Sequence, residues 1–187
     1  MKITLKPLGP VDPAVLDHLR VQLGEFGDVT VGAAGPLPRS AYDAEKRQFS
    51  ASSLFDACQS DPGDRVLGVT QGDLYEGQLK SVFGYAQIGG RVAVISTARL
   101  QGKPQRIRAR RPRVRRRTRR KRDKFLERCV KEAVHELGHT LGLAHDERDP
   151  ECVMYFSATL ADTDRKGREF CAECAPQAEV TLRRLRT

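Results

Sequence analysis

Apolar and polar positions divide the chain into a patterned first hundred residues, a charged interruption, and a second part opened by one strong helix. ITLKPL (3–8) predicts a strand, and VDPAVLDHLRVQLGEF (11–26) an amphipathic helix in which Val15, Leu16, Leu19 and Leu23 share a face. Pro13 falls in the first turn of that helix, where its missing N–H costs nothing. GDVTVG (27–32) predicts a short strand, followed by the Gly- and Pro-rich loop GAAGPLPRSAYD. A second helix is expected over AEKRQFSASSLFDAC (44–58). Strands follow at RVLGVT (65–70), SVFGYAQI (81–88) and RVAVIST (91–97), the last two separated by Gly89-Gly90. DKFLERCVKEAVHELGHTLGL (123–143) carries an apolar stripe of Leu126, Val130, Ala133, Leu137 and Leu141 at helical spacing. Beyond Gly142 the pattern gives way to a stretch rich in Asp, Pro, Gly and Cys.

These elements predict an α/β (α+β) fold. A mixed twisted sheet of four or five strands carries two helices, followed by a long helix and a small Cys-rich irregular C-terminal part. With 187 residues and 39% hydrophobic content, the chain can support one core and not two. The expectation is a single domain over 1–187, divided into an N-terminal α/β half (1–100), an insertion (106–122) and a C-terminal half (123–187). No stretch approaches the roughly 18 apolar residues of a membrane span, and no apolar leader follows Lys2, so a cytoplasmic location without a membrane partner is expected. Oligomeric state has no signal in the sequence.

Charge changes the picture at one place. RIRARRPRVRRRTRRKR (106–122) holds twelve of the 33 basic residues and no acidic one, and the rest of the chain balances 21 basic against 24 acidic. The chain is thus a mildly acidic domain carrying one basic segment. Such a segment self-repels and is suited to non-specific phosphate contacts with nucleic acid or to an acidic partner. It contains no aromatic residue for base stacking. A solvated insertion without any dedicated partner is the plainer alternative.

The candidate chemistry lies in VHELGHTLGLAHDERDPECVMYF (134–156). His135 and His139 are one helical turn apart on one face, so both imidazoles can reach one zinc ion. Glu136 stands beside the first ligand, positioned to act as a general base on a water. Gly142 permits the φ > 0 turn that brings His145 back as a third ligand. Three protein ligands leave a fourth position open, the arrangement of a catalytic zinc. Three of the four histidines fall in this H-E-x-x-H-x-x-G-x-x-H pattern, which sets aside their reading as ordinary surface residues; His18 stands alone in the first helix. Five cysteines, three of them within 152–174, point to metal rather than disulfides, while Cys58 and Cys129 read as packing residues.

The long histidine motif followed by Met154 resembles the metzincin class of zinc peptidases, in which a methionine forms a hydrophobic floor beneath the metal. The cysteines narrow the resemblance to archaemetzincins, which carry a cysteine directly after the third histidine, a C-x-M and a C-x-x-C. Here Cys152-Val153-Met154 and Cys171-Ala172-Glu173-Cys174 supply the last two. The resemblance covers residues 124–174. It implies a metzincin-like fold, hydrolysis of a peptide or protein substrate, one catalytic zinc on His135, His139 and His145, and a second, structural zinc on the cysteines. It also implies an edge strand along the cleft that pairs with extended substrate, for which SVFGYAQI, with Gly84, is the candidate. Asp146 occupies the place of the first cysteine, and the stretch to Cys152 is one residue longer than the pattern. Three readings follow: Asp146 completes a Cys₃Asp site, water or another residue is the fourth ligand, or the second site is empty. Tyr155 directly follows the methionine and is not assigned as a ligand. A rival function is a non-catalytic zinc protein that binds nucleic acid or an acidic partner through 106–122; the intact Glu136 weighs against it.

Overall fold

The computed structural model describes residues 1–102 and 113–186, with 113–117 and Arg186 described by their backbone. In chain order the elements are β1 (Lys2–Leu8), α1 (Pro13–Gln22), β2 (Asp28–Val31), β3 (Tyr42–Asp43), β4 (Gln48–Ser50), α2 (Ala51–Ala57), β5 (Arg65–Thr70), β6 (Leu74–Glu76), β7 (Leu79–Val82), β8 (Gly84–Ala86), β9 (Val92–Ser96), α3 (Arg113–Thr140), α4 (Leu160–Arg165) and α5 (Cys174–Arg186).

The main sheet has five strands in the order β2-β1-β5-β9-β8. The first four run parallel and β8 pairs antiparallel with β9, so the sheet is mixed as expected and β8 forms one edge. β5 and β9 are buried along their whole length because helices cover both faces. On one face Ile3, Leu5, Leu67, Val69, Ala93 and Ile95 pack against α1 and the second half of α3. On the other, Leu8, Val66, Val92 and Val94 pack against α2.

Three local expectations are corrected. The second helix begins only at Ala51: residues 48–50 form β4, and the Ser50 side chain accepts from the Ser53 N–H as N-cap. SVFGYAQI is not one strand. It breaks at Phe83, with β7 joining a separate four-stranded sheet (β3-β4-β6-β7) and β8 joining the main one. The C-terminal part is irregular over 141–159 and 166–173 as expected, but it also carries two helices that the pattern did not predict. Thr159 and Asp162 form a capping box that opens α4, and α5 buries Cys174, Ala178 and Leu182 on one face.

The stripe read in α3 is confirmed: Val130, Ala133, Leu137 and Leu141 are buried and Leu126 packs against them. Helix α3 starts at Arg113, so the final part of the basic segment does extend it; residues 106–112 of that segment lie outside the described residues. Arg119, Arg120, Lys121 and Arg122 are exposed. The C-terminal end of α3 is held from three sides. Arg65 donates from Nη2 to the Thr140 carbonyl (3.1 Å), the Gly89 N–H to the His139 carbonyl (2.8 Å), and Thr181 Oγ1 to the Leu141 carbonyl (2.9 Å). A guanidinium at this end also complements the helix dipole. The turn that carries the histidines is thereby anchored to β5, to the β8–β9 turn and to α5.

Candidate active site

Gly142, at φ +99°, ends α3 in a Schellman motif: Leu143 N–H bonds the Gly138 carbonyl (3.1 Å) and Gly142 N–H the His139 carbonyl (3.0 Å). The chain reverses there and brings His145 over His135 and His139, with ring centroids 4.7–5.2 Å apart. One ligand nitrogen from each of the three lies within 4.8 Å of the others.

The hydrogen bonds decide which nitrogens are free. His135 Nδ1 donates to the Val153 carbonyl (2.7 Å) and His139 Nδ1 to the Leu143 carbonyl (2.8 Å), since a carbonyl can only accept. Burial pushes both imidazoles below the ordinary histidine range, so both are neutral near pH 7, and their Nε2 atoms carry lone pairs. Those Nε2 atoms face each other at 3.2 Å with no proton to share. A cation between such acceptors removes the repulsion, and neutral imidazoles are the form that binds zinc. The donor set therefore fits the metal that the spacing implies. Burial also lowers His145, followed by the charge of Lys166.

Two glycines shape the surroundings. A Cβ at Gly84 in β8 would fall 2.6 Å from Cγ and Cδ of Glu136, so the edge strand lies directly against that carboxylate side chain. A Cβ at Gly138 would meet Phe170 at 2.9 Å and collide with the Met154 sulfur. Met154 is fully buried, with its sulfur against Gly138 of α3. Burial, and then Glu132 one turn earlier, push the Glu136 carboxyl well above the usual carboxylate range. A carboxyl so placed takes up a proton more readily than a solvated one. Gly84, Glu132, Glu136 and the three histidines line a cleft of about 460 Å³ between β7–β8, α3 and the Phe156–Ala158 segment. The Phe156 ring lies 5.1 Å from that of His145.

A second cluster sits behind the first. Asp146, Cys152, Cys171 and Cys174 each present one ligand atom within 4.8 Å of the others. Cys171 Sγ donates to Asp146 Oδ2 (3.2 Å), and Cys174 Sγ lies 3.8 Å from the same oxygen. The N–H groups of Met154 and Cys171 both donate to Cys152 Sγ (3.4 Å each). Burial and the neighbouring thiols push Cys174 up, whereas the Arg148 N–H and the Cys171 thiol hold Asp146 down to about 2. Asp146 thus points at the cysteines rather than at the histidines. Cys58 and Cys129 are buried in the two cores, away from both clusters, and His18 is half-buried in α1.

A family model described as "Peptidase family M54" matches residues 47–180. The chain belongs to peptidase family M54. It is accordingly a zinc metallopeptidase, a hydrolase acting on peptide or protein substrates. It is 37% identical over 179 residues to an archaemetzincin of Methanopyrus kandleri, covering 94% of this chain and 92% of that one. It is 36% identical over 179 residues to an archaemetzincin of Methanocaldococcus jannaschii, covering 93% and 90%. The crystal structure of the Methanopyrus kandleri archaemetzincin superposes with a TM-score of 0.81 over 98% of this chain and 96% of that one. The likeness runs through the first hundred residues as well, where sequence reasoning found only a general α/β character. Among the described residues of this M54 peptidase, no helix is long and apolar enough to cross a membrane.

Three residues at this site were not found by sequence reasoning. Glu132 lines the cleft one turn before Glu136. Its Oε1 accepts from Thr163 Oγ1 (3.1 Å) and pairs with the fully buried Lys166 Nζ (3.2 Å). The i,i+4 spacing of Glu132 and Glu136 was readable as a shared helix face; nothing in the sequence marks Lys166 or Thr163.

Proposed function

We propose that this M54 peptidase hydrolyses peptide bonds at one zinc held by His135, His139 and His145, with Glu136 as the proton carrier. We further propose a second, structural zinc on Asp146, Cys152, Cys171 and Cys174. The observation that carries the catalytic reading is the pair of unprotonated Nε2 atoms 3.2 Å apart, with Glu136 buried beside them. Zinc, when bound, supplies an electrophile for the substrate carbonyl and lowers the pKa of water from 15.7 to about 7.

The chain's own residues do the rest. The Val153 and Leu143 carbonyls fix the two helix imidazoles in the ligand tautomer. Glu136 takes the proton of the attacking water and returns it to the leaving amine. Among the described residues β8 is an edge strand along the cleft, against which an extended peptide can add as a further strand. The absence of a side chain at Gly84 lets that strand approach Glu136 closely. Cys152, Cys171 and Cys174 are free of disulfides, which leaves their sulfurs available as ligands.

Glu136→Gln tests the mechanism. The variant should keep its zinc and lose peptide turnover by about 10²–10⁴-fold, the usual weight of a positioned acid–base group. Unchanged turnover with zinc retained removes Glu136 from the reaction. The exposed Arg119–Arg122 turn could also hold a polyanion, but no observation in the described residues favours binding over hydrolysis.

A further inference from the structure

Asp146 differs from a cysteine in one respect that matters for a tetrahedral thiolate site: it has two donor oxygens. A carboxylate can chelate with both, raising the coordination number, or swing so that neither is well aimed. Here the two oxygens are given separate tasks. Oδ2 faces the Cys171 and Cys174 sulfurs, at 3.2 and 3.8 Å. Oδ1 is taken twice by one residue, accepting from the backbone N–H of Arg148 (3.0 Å) and from its Nε–H (3.1 Å). The same guanidinium reaches with Nη1 to the carboxylate of Glu173, which lies between the two cysteines of Cys171-Ala172-Glu173-Cys174. One arginine therefore occupies the idle oxygen of Asp146 and ties that residue to the loop that carries two of the thiols. A cysteine at position 146 would have a single donor atom and no idle oxygen to hold.

We propose that Arg148 is the positioning residue that makes Asp146 a one-oxygen ligand, and so lets a carboxylate complete a site otherwise built of three thiols. The inference rests on the reading that this cluster holds a second zinc, and it assigns a task to a residue outside the ligand set. Arg148 is largely exposed, so its replacement leaves packing intact.

The test compares wild type, Arg148→Met, Asp146→Cys and the double variant Asp146→Cys/Arg148→Met. The readouts are zinc per chain, zinc affinity by chelator competition, and the absorption spectrum of the cobalt-substituted protein. In the wild-type background, Arg148→Met should weaken the second site by about 10–100-fold, the usual effect of losing a hydrogen bond to a metal ligand. It should also shift the cobalt bands toward a higher coordination number. In the Asp146→Cys background the same change should alter affinity by less than about 3-fold, because a thiolate has no second oxygen to be held. Two outcomes overturn the proposal while leaving the second site standing: full affinity in Arg148→Met, or an equal loss in both backgrounds. The latter would mean that Arg148 acts through its charge or through Glu173 alone. One zinc per chain in the wild type and two in Asp146→Cys would instead overturn the second-site reading itself, and the proposal with it.

Discussion

At the residue scale, Gly84 and Glu136 make the most exposed dependency in the site. The edge strand and the carboxylate occupy adjoining space, with no room for even a methyl group between them. Gly84→Ala should push Glu136 from its position, leave the three histidines untouched, and lower turnover by about 10–100-fold with zinc retained, since small misplacements at reacting groups cost on that order. Zinc content and peptide cleavage measured on the same sample check this; an unimpaired enzyme would mean that the strand yields instead. The histidines, Glu136 and Gly142 were legible because their chemistry fixes their spacing on a single helix and turn; Met154 was legible only through the family resemblance. Gly138 was half-legible. A glycine inside a helix costs about 1 kcal/mol relative to alanine, which signals close approach, but only the fold reveals that Met154 and Phe170 are what approach. Lys166 was not legible at all, because its partner Glu132 is 34 positions away in the sequence.

At the element scale, α3 and α4 are joined by polar contacts that no periodicity predicts. Arg128 grips Asp164 with Nε and Nη2 at 2.7 and 2.8 Å, and Lys166 pairs with Glu132 with both side chains almost wholly buried. Breaking a buried pair from one side leaves an uncompensated charge, which costs about 3–5 kcal/mol. Lys166→Met should therefore lower the melting temperature by about 6–20 °C for a domain of this size. Lys166→Met/Glu132→Leu should recover much of that loss, since a well-packed apolar pair is often neutral in such a place. Thermal unfolding of the zinc-loaded proteins decides it; equal destabilisation in the single and double variants would mean that the cost comes from packing and not from charge. The same reasoning explains which elements the sequence hid. β5 and β9 were plain because helices bury both faces and, after Arg65, every position is apolar or small. α4 and α5 were missed because α4 is one short capped stretch, and α5 places Pro176 in its first turn, where proline is tolerated but reads as a breaker. β7 and β8 read as one strand because an apolar and aromatic run passes straight through Phe83, while the partition between two sheets depends on partners far away in the chain.

At the scale of the whole molecule, the histidine cluster and the cysteine cluster share the loop between α3 and α4 rather than forming separate modules. His145 of the first is followed at once by Asp146 of the second, and Cys152 is followed by Val153, whose carbonyl fixes His135. The loop is closed by the Asp146 N–H on the Met154 carbonyl at 3.1 Å. Its outer side is held through Cys171 and Cys174 to the start of α5, and α5 in turn holds the end of α3 through Thr181. A ligand set tied down at the second cluster is therefore preorganised at the first, and the ordering cost of the loop is met once for both. Cys171→Ser/Cys174→Ser should lose one zinc and, in addition, weaken the histidine site by about 10-fold, the low end of what loss of supporting contacts does to metal affinity. Chelator competition against the remaining zinc measures this directly. An unchanged affinity at His135, His139 and His145 would make the cysteine cluster a support of the C-terminal helix alone, with the histidine turn held sufficiently by Arg65, Gly89 and Thr181.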